Sequence, residues 1–326
     1  MAERKPISRV VVALGQEPAD ISSLVERFPH VDFETVGGDD LETRAPEADA
    51  LLIGWVGHAL TRESAPRLQW IQTAGAGVER YIEEGLIGEG IVLTNGSGVM
   101  APNMAEYAIG MMIAFARQFP ALWRGQERHL WRPGLGLDSF FELGDQTVVF
   151  VGLGDIAQET AKRLAGFGMH TIGVRRTVHS GDLPSGIDRV VSIDELDDVL
   201  PLADHVISSV PSTESTRHLF DGERFRQFKR GAYFYNLGRG TSVVQDDLIA
   251  ALESGQLGGA GLDVTEPEPL PGDHPLWNAP NVFITSHTSG MTPRFRGRVI
   301  ELFADNLERW ESGEELRNVV NTERGY

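Results

Sequence analysis

Three side chains of kinds that move protons or hold anions stand in short loops in the second half of the chain. Arg239 lies in Asn236-Leu237-Gly238-Arg239-Gly240, Glu268 in the stretch from Asp263 to Pro271, and His287 in Thr285-Ser286-His287-Thr288-Ser289-Gly290. Imidazole is the side chain that titrates nearest neutrality, so it suits a reaction in which a hydride passes to or from a carbon bearing oxygen and a proton must move in step. A carboxylate touching the ring favours imidazolium, and a guanidinium can hold a substrate carboxylate and polarise its carbonyl. Each also has an innocent reading: a structural histidine after a strand, an arginine in a surface turn, an acidic loop stiffened by prolines. What joins them is their common place, each just past a predicted strand.

Upstream, Val148-Val149-Phe150-Val151 runs into Gly152-Leu153-Gly154-Asp155-Ile156-Ala157, a strand followed by a Gly-x-Gly-x-x-Ala turn that opens an amphipathic helix. Gly152 permits the tight turn, Gly154 lets a pyrophosphate approach bare backbone, and Ala157 lets the helix lie close on the strand. The first-turn amides and helix dipole then face the anion. Helical spacing continues through Thr160, Ala161, Leu164 and Phe167, with Gly168 placed to end the helix before a second strand, Met169 to Val174. A ribose-binding Asp or Glu belongs roughly 20 residues past the glycines in NAD units. Arg175-Arg176-Thr177 stands there instead. Two guanidiniums and a hydroxyl suit a 2′-phosphate, so NADP(H) is the preferred cofactor, with NAD(H) as the alternative.

These groups need a scaffold that brings strand ends together. A length of 326 residues favours two domains, and 41% apolar with 23% charged residues is an ordinary globular composition. Apolar runs alternate with helical patterns throughout, which predicts α/β architecture: two doubly wound parallel-sheet domains, a Rossmann dinucleotide-binding domain and a smaller flavodoxin-like one. First-domain strands are predicted at Val10 to Leu14, Asp32 to Thr35, Ala50 to Gly54, Trp70 to Thr73 and Ile91 to Thr94. The turn Asn95 to Gly98 and a helix over Asn103 to Arg117 separate this part from the nucleotide unit. Further strands follow at His205 to Val210, Tyr233 to Leu237, Gly259 to Leu262 and Val282 to Thr285. A last helix, Arg294 to Trp310, and the tail are expected to return to the first domain. The domains so drawn are 1–100 with 291–326, and 101–290.

Composition excludes several classes. A formal charge of −18 repels nucleic acid and anionic membrane. Val10 to Leu14 is far too short to span a bilayer and lacks a cleavage pattern. With no cysteine there is no disulfide or thiolate chemistry, and the cytoplasm is the default compartment. The histidines at 129, 170, 179, 205, 218 and 274 lack ligand spacing, so no metal is expected.

Over nearly its whole length the chain resembles the D-isomer-specific 2-hydroxyacid dehydrogenases. The resemblance rests on Thr73-Ala74-Gly75-Ala76-Gly77-Val78, on Asn95 to Arg117, on the glycine turn, on the arginine, glutamate and histidine loops, and on the ending Asn318 to Tyr326. It implies reduction of a 2-oxo acid by NADPH, with Arg239 binding the acid and His287 carrying the proton. Glu268, not Glu266, matches the family's glutamate and would raise the His287 pKa. Backbone around Gly75, Ala76 and Gly77 would hold the substrate carboxylate, while Asp263 would contact the nicotinamide amide. Val210, Pro211 and Thr216 would line the adenosine side. The cofactor contacts expected are these together with Gly152, Gly154, Asp155, Ile156, Arg175, Arg176, Thr177, Leu237, Gly238, His287, Ser289 and Gly290. Trp55 is a candidate for shaping the substrate pocket. Glyoxylate and hydroxypyruvate are the first-choice substrates; D-lactate, phosphoglycerate or phosphite dehydrogenases and a non-catalytic corepressor-like scaffold are the alternatives. The apolar segment Gln118 to Phe141 reads as core or, by the resemblance, as the arm of a homodimer.

Overall fold

The computed structural model describes residues 4–54, 60–61, 63–131, 134–178, 181 and 183–321. The chain divides into two compact units, one made of the residues up to Met100 together with those from Thr292 onward, the other of Ala101–Met291.

In the first unit the strands are β1 (Arg9–Ala13), β2 (Asp32–Thr35), β3 (Ala50–Ile53), β4 (Trp70–Thr73) and β5 (Val92–Thr94). They form a wholly parallel sheet in the order β2-β1-β3-β4-β5. Its central strands are buried on both faces, which is why Val10-Val11-Val12-Ala13 reads as a continuous apolar run without alternation. The last helix, Phe295–Ser312, packs on one face: Trp70 stacks on Phe303 at 4.6 Å and on Trp310 at 5.9 Å between ring centroids. Buried Asn306 of this helix donates to Gln72 Oε1 at 3.0 Å, so the apolar contact has a polar pin. The tail follows, with Val320 donating its amide to Leu93 and entering the opposite core cluster. Residues 322–326 of the family-like ending lie outside the described residues, as does Trp55.

The second unit holds β6 (Thr147–Val151), β7 (His170–Arg175), β8 (Arg189–Ser192), β9 (His205–Ser208), β10 (Ala232–Asn236), β11 (Leu257–Leu262) and β12 (Val282–Ile284). All pair in parallel, in the order β12-β11-β10-β9-β6-β7-β8. The chain order reverses between β6 and β9, the crevice where open α/β sheets place ligands. Strand β8 is absent from the sequence reading. Only Val190 and Val191 are apolar in it, and as an edge strand it needs one face covered. Elsewhere the predicted elements recur with small shifts: β7 starts one residue later than Met169, and the long helix spans Ala101–Ala116 instead of starting at Asn103. That helix buries Ala108, Met111, Met112 and Phe115 in one core cluster with Val148, Phe150 and Tyr235 of the sheet.

One buried polar group sets an acid limit on this unit. His205 is enclosed by Phe141, Tyr233 and Tyr235, with Nε2 2.8 Å from Gln146 Oε1 and Nδ1 3.0 Å from the Tyr235 hydroxyl. A neutral ring that donates through Nε2 and accepts at Nδ1 satisfies both partners. Burial pushes the imidazole down to about 4, against the opposing pull of the Asp204 carboxylate. Because the folded pKa lies below that of the unfolded chain, the unfolded state binds more protons between pH 6.5 and 4, and stability falls as pH falls through that window. Denaturant unfolding at pH 7 and pH 5 is expected to show the parent losing about 2 kcal/mol more than His205→Gln. An identical pH dependence in the two proteins would refute the assignment.

Candidate active site

The glycine turn is built at the reversal point. Gly152 has φ of +95°, and a Cβ there would meet Ser209 and Val210 backbone at 3.1 to 3.2 Å, so only glycine fits without displacement. Ser209 Oγ donates to the Gly152 carbonyl at 3.1 Å, tying the loops after β6 and β9. Gly154 caps the ten-residue helix Asp155–Leu164, and the space beside its missing Cβ is open. A backbone cradle at the start of such a helix is what a pyrophosphate requires. Gly152 N–H donates to the Val174 carbonyl at 3.0 Å, which sets Arg175 at the end of β7 beside this turn. Arg175 is half-buried, whereas Arg176 and Thr177 are exposed. On the other flank Val210 turns its side chain into the core, and Thr216 Oγ1 donates to the Pro211 carbonyl at 2.6 Å. That loop therefore offers backbone and a braced turn to anything beside it.

Strands β10, β11 and β12 are neighbours, so the arginine, glutamate and histidine loops leave one edge of one sheet side by side. After β10, the Arg239 carbonyl accepts from Asn236 Nδ2 at 3.0 Å and Ser242 Oγ at 2.8 Å, which fixes the half-buried Arg239. A Cβ at Gly240 would overlap the Thr265 carbonyl, so this loop lies directly on the next. After β11, Gln245 braces the Glu266 backbone through both its amide atoms. Thr265 N–H then donates to Glu268 Oε1 at 3.0 Å, and Glu268 Oε2 lies 2.8 Å from His287 Nδ1. Glu266 instead faces Arg217 at 3.4 Å. The structure thus brings Glu268 to the imidazole and pairs Glu266 with Arg217 instead. With Nδ1 on the carboxylate, Nε2 is the atom of the half-exposed ring directed away from it.

His287 occupies the left-handed region, φ +54°, which costs a non-glycine residue about 1 kcal/mol. Asp263 holds it there. Its backbone carbonyl accepts from His287 N–H at 2.8 Å; its carboxylate accepts from Thr285 Oγ1 at 2.7 Å, Thr288 N–H at 2.8 Å and Ser289 N–H at 3.0 Å. Asp263 is 1% exposed. The carboxylate that the resemblance gives to the nicotinamide amide is thus wrapped by the histidine loop. Two further residues, read from sequence only as part of a helix, meet that loop. Asn103 Nδ2 donates to the Ser289 carbonyl at 2.8 Å, and the Tyr107 hydroxyl bonds Thr285 Oγ1. Their signal in the sequence is a pair of hydrogen-bonding side chains four residues apart on a largely apolar helix.

In the first unit the stretch Gly75-Ala76-Gly77 follows β4 at the carboxyl edge. The Gly75 carbonyl accepts from Thr73 Oγ1 and Gly96 N–H, and the Ala76 carbonyl from Asn95 Nδ2. A Cβ at Gly96 would overlap the Ala74 carbonyl, so the fit requires glycine. Among the described residues, no group of three or more His, Cys, Asp or Glu could hold a metal, and no helix is long and apolar enough to cross a membrane.

Comparison with known proteins agrees with this architecture. Residues 109–289 match the family model described as D-isomer specific 2-hydroxyacid dehydrogenase, NAD binding domain. A glyoxylate reductase of Korarchaeum cryptofilum is 33% identical over 268 residues, covering 80% of this chain and 78% of that protein. Glyoxylate/hydroxypyruvate reductase B of Citrobacter koseri is 31% identical over 306 residues, 91% and 93% of the two chains. Among solved structures, the NADPH-dependent glyoxylate/hydroxypyruvate reductase of Sinorhizobium meliloti, in complex with NADP and sulfate, superposes with a TM-score of 0.81 at 28% identity, over 98% of this chain and 100% of that one. The chain belongs to the D-isomer-specific 2-hydroxyacid dehydrogenase family, oxidoreductases with a nicotinamide dinucleotide-binding domain.

Proposed function

We propose that the protein reduces a small 2-oxo acid, glyoxylate or hydroxypyruvate, to the D-2-hydroxy acid with NADPH, and that His287 is the proton donor. The observation that carries this reading is the 2.8 Å pairing of His287 Nδ1 with Glu268, beside the arginine loop at one sheet edge. When bound, the reduced nicotinamide supplies the hydride for C2. Gly152, Gly154 and the first turn of the helix Asp155–Leu164 would hold its pyrophosphate, and Arg175, Arg176 and Thr177 its 2′-phosphate. Glu268 fixes the ring so that Nε2 presents the proton to the C2 oxygen. Arg239 binds the substrate carboxylate and stabilises charge growing on that oxygen. The substrate choice draws support from the relatives named as glyoxylate and hydroxypyruvate reductases, and the cofactor choice from the arginine turn.

A panel of 2-oxo acids assayed against NADPH and NADH tests reaction, cofactor and substrate together; no turnover of any of them would leave a nucleotide-sensing scaffold as the better reading. His287→Ala is expected to lower kcat at least about a hundredfold while NADPH still binds, as loss of a proton donor does. Near-normal turnover would refute the role. For Arg176→Ala the expectation is a rise in the NADPH KM of at least about tenfold, or ~1.4 kcal/mol, with NADH little affected. Unchanged NADPH kinetics would sink the 2′-phosphate assignment. The side chains of Phe119, Leu122, Trp123, Leu130, Trp131 and Leu137 are exposed, Trp131 at 94%, on and after the helix Phe119–Glu127. We read this apolar surface as the homodimer contact, so light scattering at micromolar concentration should give twice the chain mass of 35.7 kDa, and a monomer there would contradict it.

A further inference from the structure

We propose that Asn103 and Tyr107 are positioning residues for the proton-transfer step, gripping the loop that carries His287 at its two ends. The inference rests on His287 as the proton carrier. A spacing of four puts both side chains on one face of the helix Ala101–Ala116. Their targets, Thr285 and the Ser289 carbonyl, are also four residues apart, and His287 lies midway between them. The direction of the bonds follows from chemistry. An ionised carboxylate can only accept, so Thr285 gives its proton to Asp263 Oδ1 and must receive the one on Tyr107. Burial pushes the Tyr107 phenol up to about 12, so this donor keeps its proton throughout the neutral range.

Packing alone does not explain the pair. The helix is already anchored by Ala105, Ala108, Met112 and Phe115, all fully or nearly fully buried. Phenylalanine would fill the place of Tyr107 equally well, and nothing in that apolar contact calls for an amide at 103. What the polar atoms do is connect a sixteen-residue helix to the loop that carries His287 in its left-handed conformation. A loop held at one end could pivot about Asp263. Held at both, it keeps the imidazole at the distance from Glu268 seen here.

The test is a double-mutant cycle. Tyr107→Phe and Asn103→Ala are made in the parent and in His287→Gln, and kcat, NADPH KM and the solvent deuterium isotope effect on kcat are measured. In the parent, each is expected to lower kcat about tenfold, shift the NADPH KM less than about twofold, and enlarge the isotope effect. In His287→Gln, Tyr107→Phe should change the residual rate less than about twofold, because its effect passes through the missing ring. Thr285→Val should reproduce the Tyr107→Phe loss without adding to it. The grip is overturned if Tyr107→Phe leaves kcat and the isotope effect unchanged, if its loss persists in full without His287, or if NADPH binding falls along with turnover. Near-parental turnover of His287→Gln by itself marks the other failure, that of the proton carrier, and removes the basis of the grip.

Discussion

A single buried carboxylate organises the chemistry-bearing edge of this protein. Asp263, at the end of β11, is removed from water, and an ionised group so placed costs several kcal/mol unless donors surround it. The donors come from the next strand's loop: one hydroxyl and two amides, with the His287 amide on the Asp263 carbonyl. The conformation of that loop is dictated by where these donors must point. A positive φ at His287 is a consequence, and its cost of about 1 kcal/mol is small beside that of an unsatisfied carboxylate.

The other loops are placed by the absence of side chains. Gly152 lies against Ser209, Gly238 against Val210, and Gly240 against Thr265, each so close that a Cβ could not be accommodated without movement. Four successive loops are thereby pressed into one rim, from the helix that would receive a pyrophosphate to the glutamate beside His287. Backbone contact of this kind transmits position stiffly, since there are no rotamers to adjust. It also explains why glycine turns and reactive groups share a rim: the former set the spacing of the latter.

Much of this was legible in the sequence because its causes are local. Apolar runs gave the strands and glycine spacing gave the reversal-point turn, while the choice of Glu268 over Glu266 came from the family resemblance. What stayed hidden depends on partners far away along the chain. Tyr107 meets Thr285 across 178 positions and Asn103 meets Ser289 across 186, so neither pairing leaves a periodic trace. Strand β8 was hidden for a related reason, since two valines at a sheet edge look like a loop until β7 is beside them. Asp263 was visible as a residue, but its occupation was not, because three of its donors are 22 to 26 positions on.

The net charge of −18 poses a last question, since a family that binds a phosphorylated dinucleotide and acts on hydroxy acids must admit anions. Over long range the field is weak: at physiological ionic strength the Debye length is about 8 Å, so carboxylates scattered on the exterior act little on the carboxyl edge of the sheet. Some are also paired where they stand, as Asp32 is with Arg9, Glu34 with Arg44, and Glu159 with Lys162 and Arg163. The groups at the glycine turn and the arginine loop are different in sign: Arg239, Arg175 and Arg176, a helix start at Asp155, and glycine backbone. On the proposed reading, local donors and not the net charge therefore decide what enters at this edge.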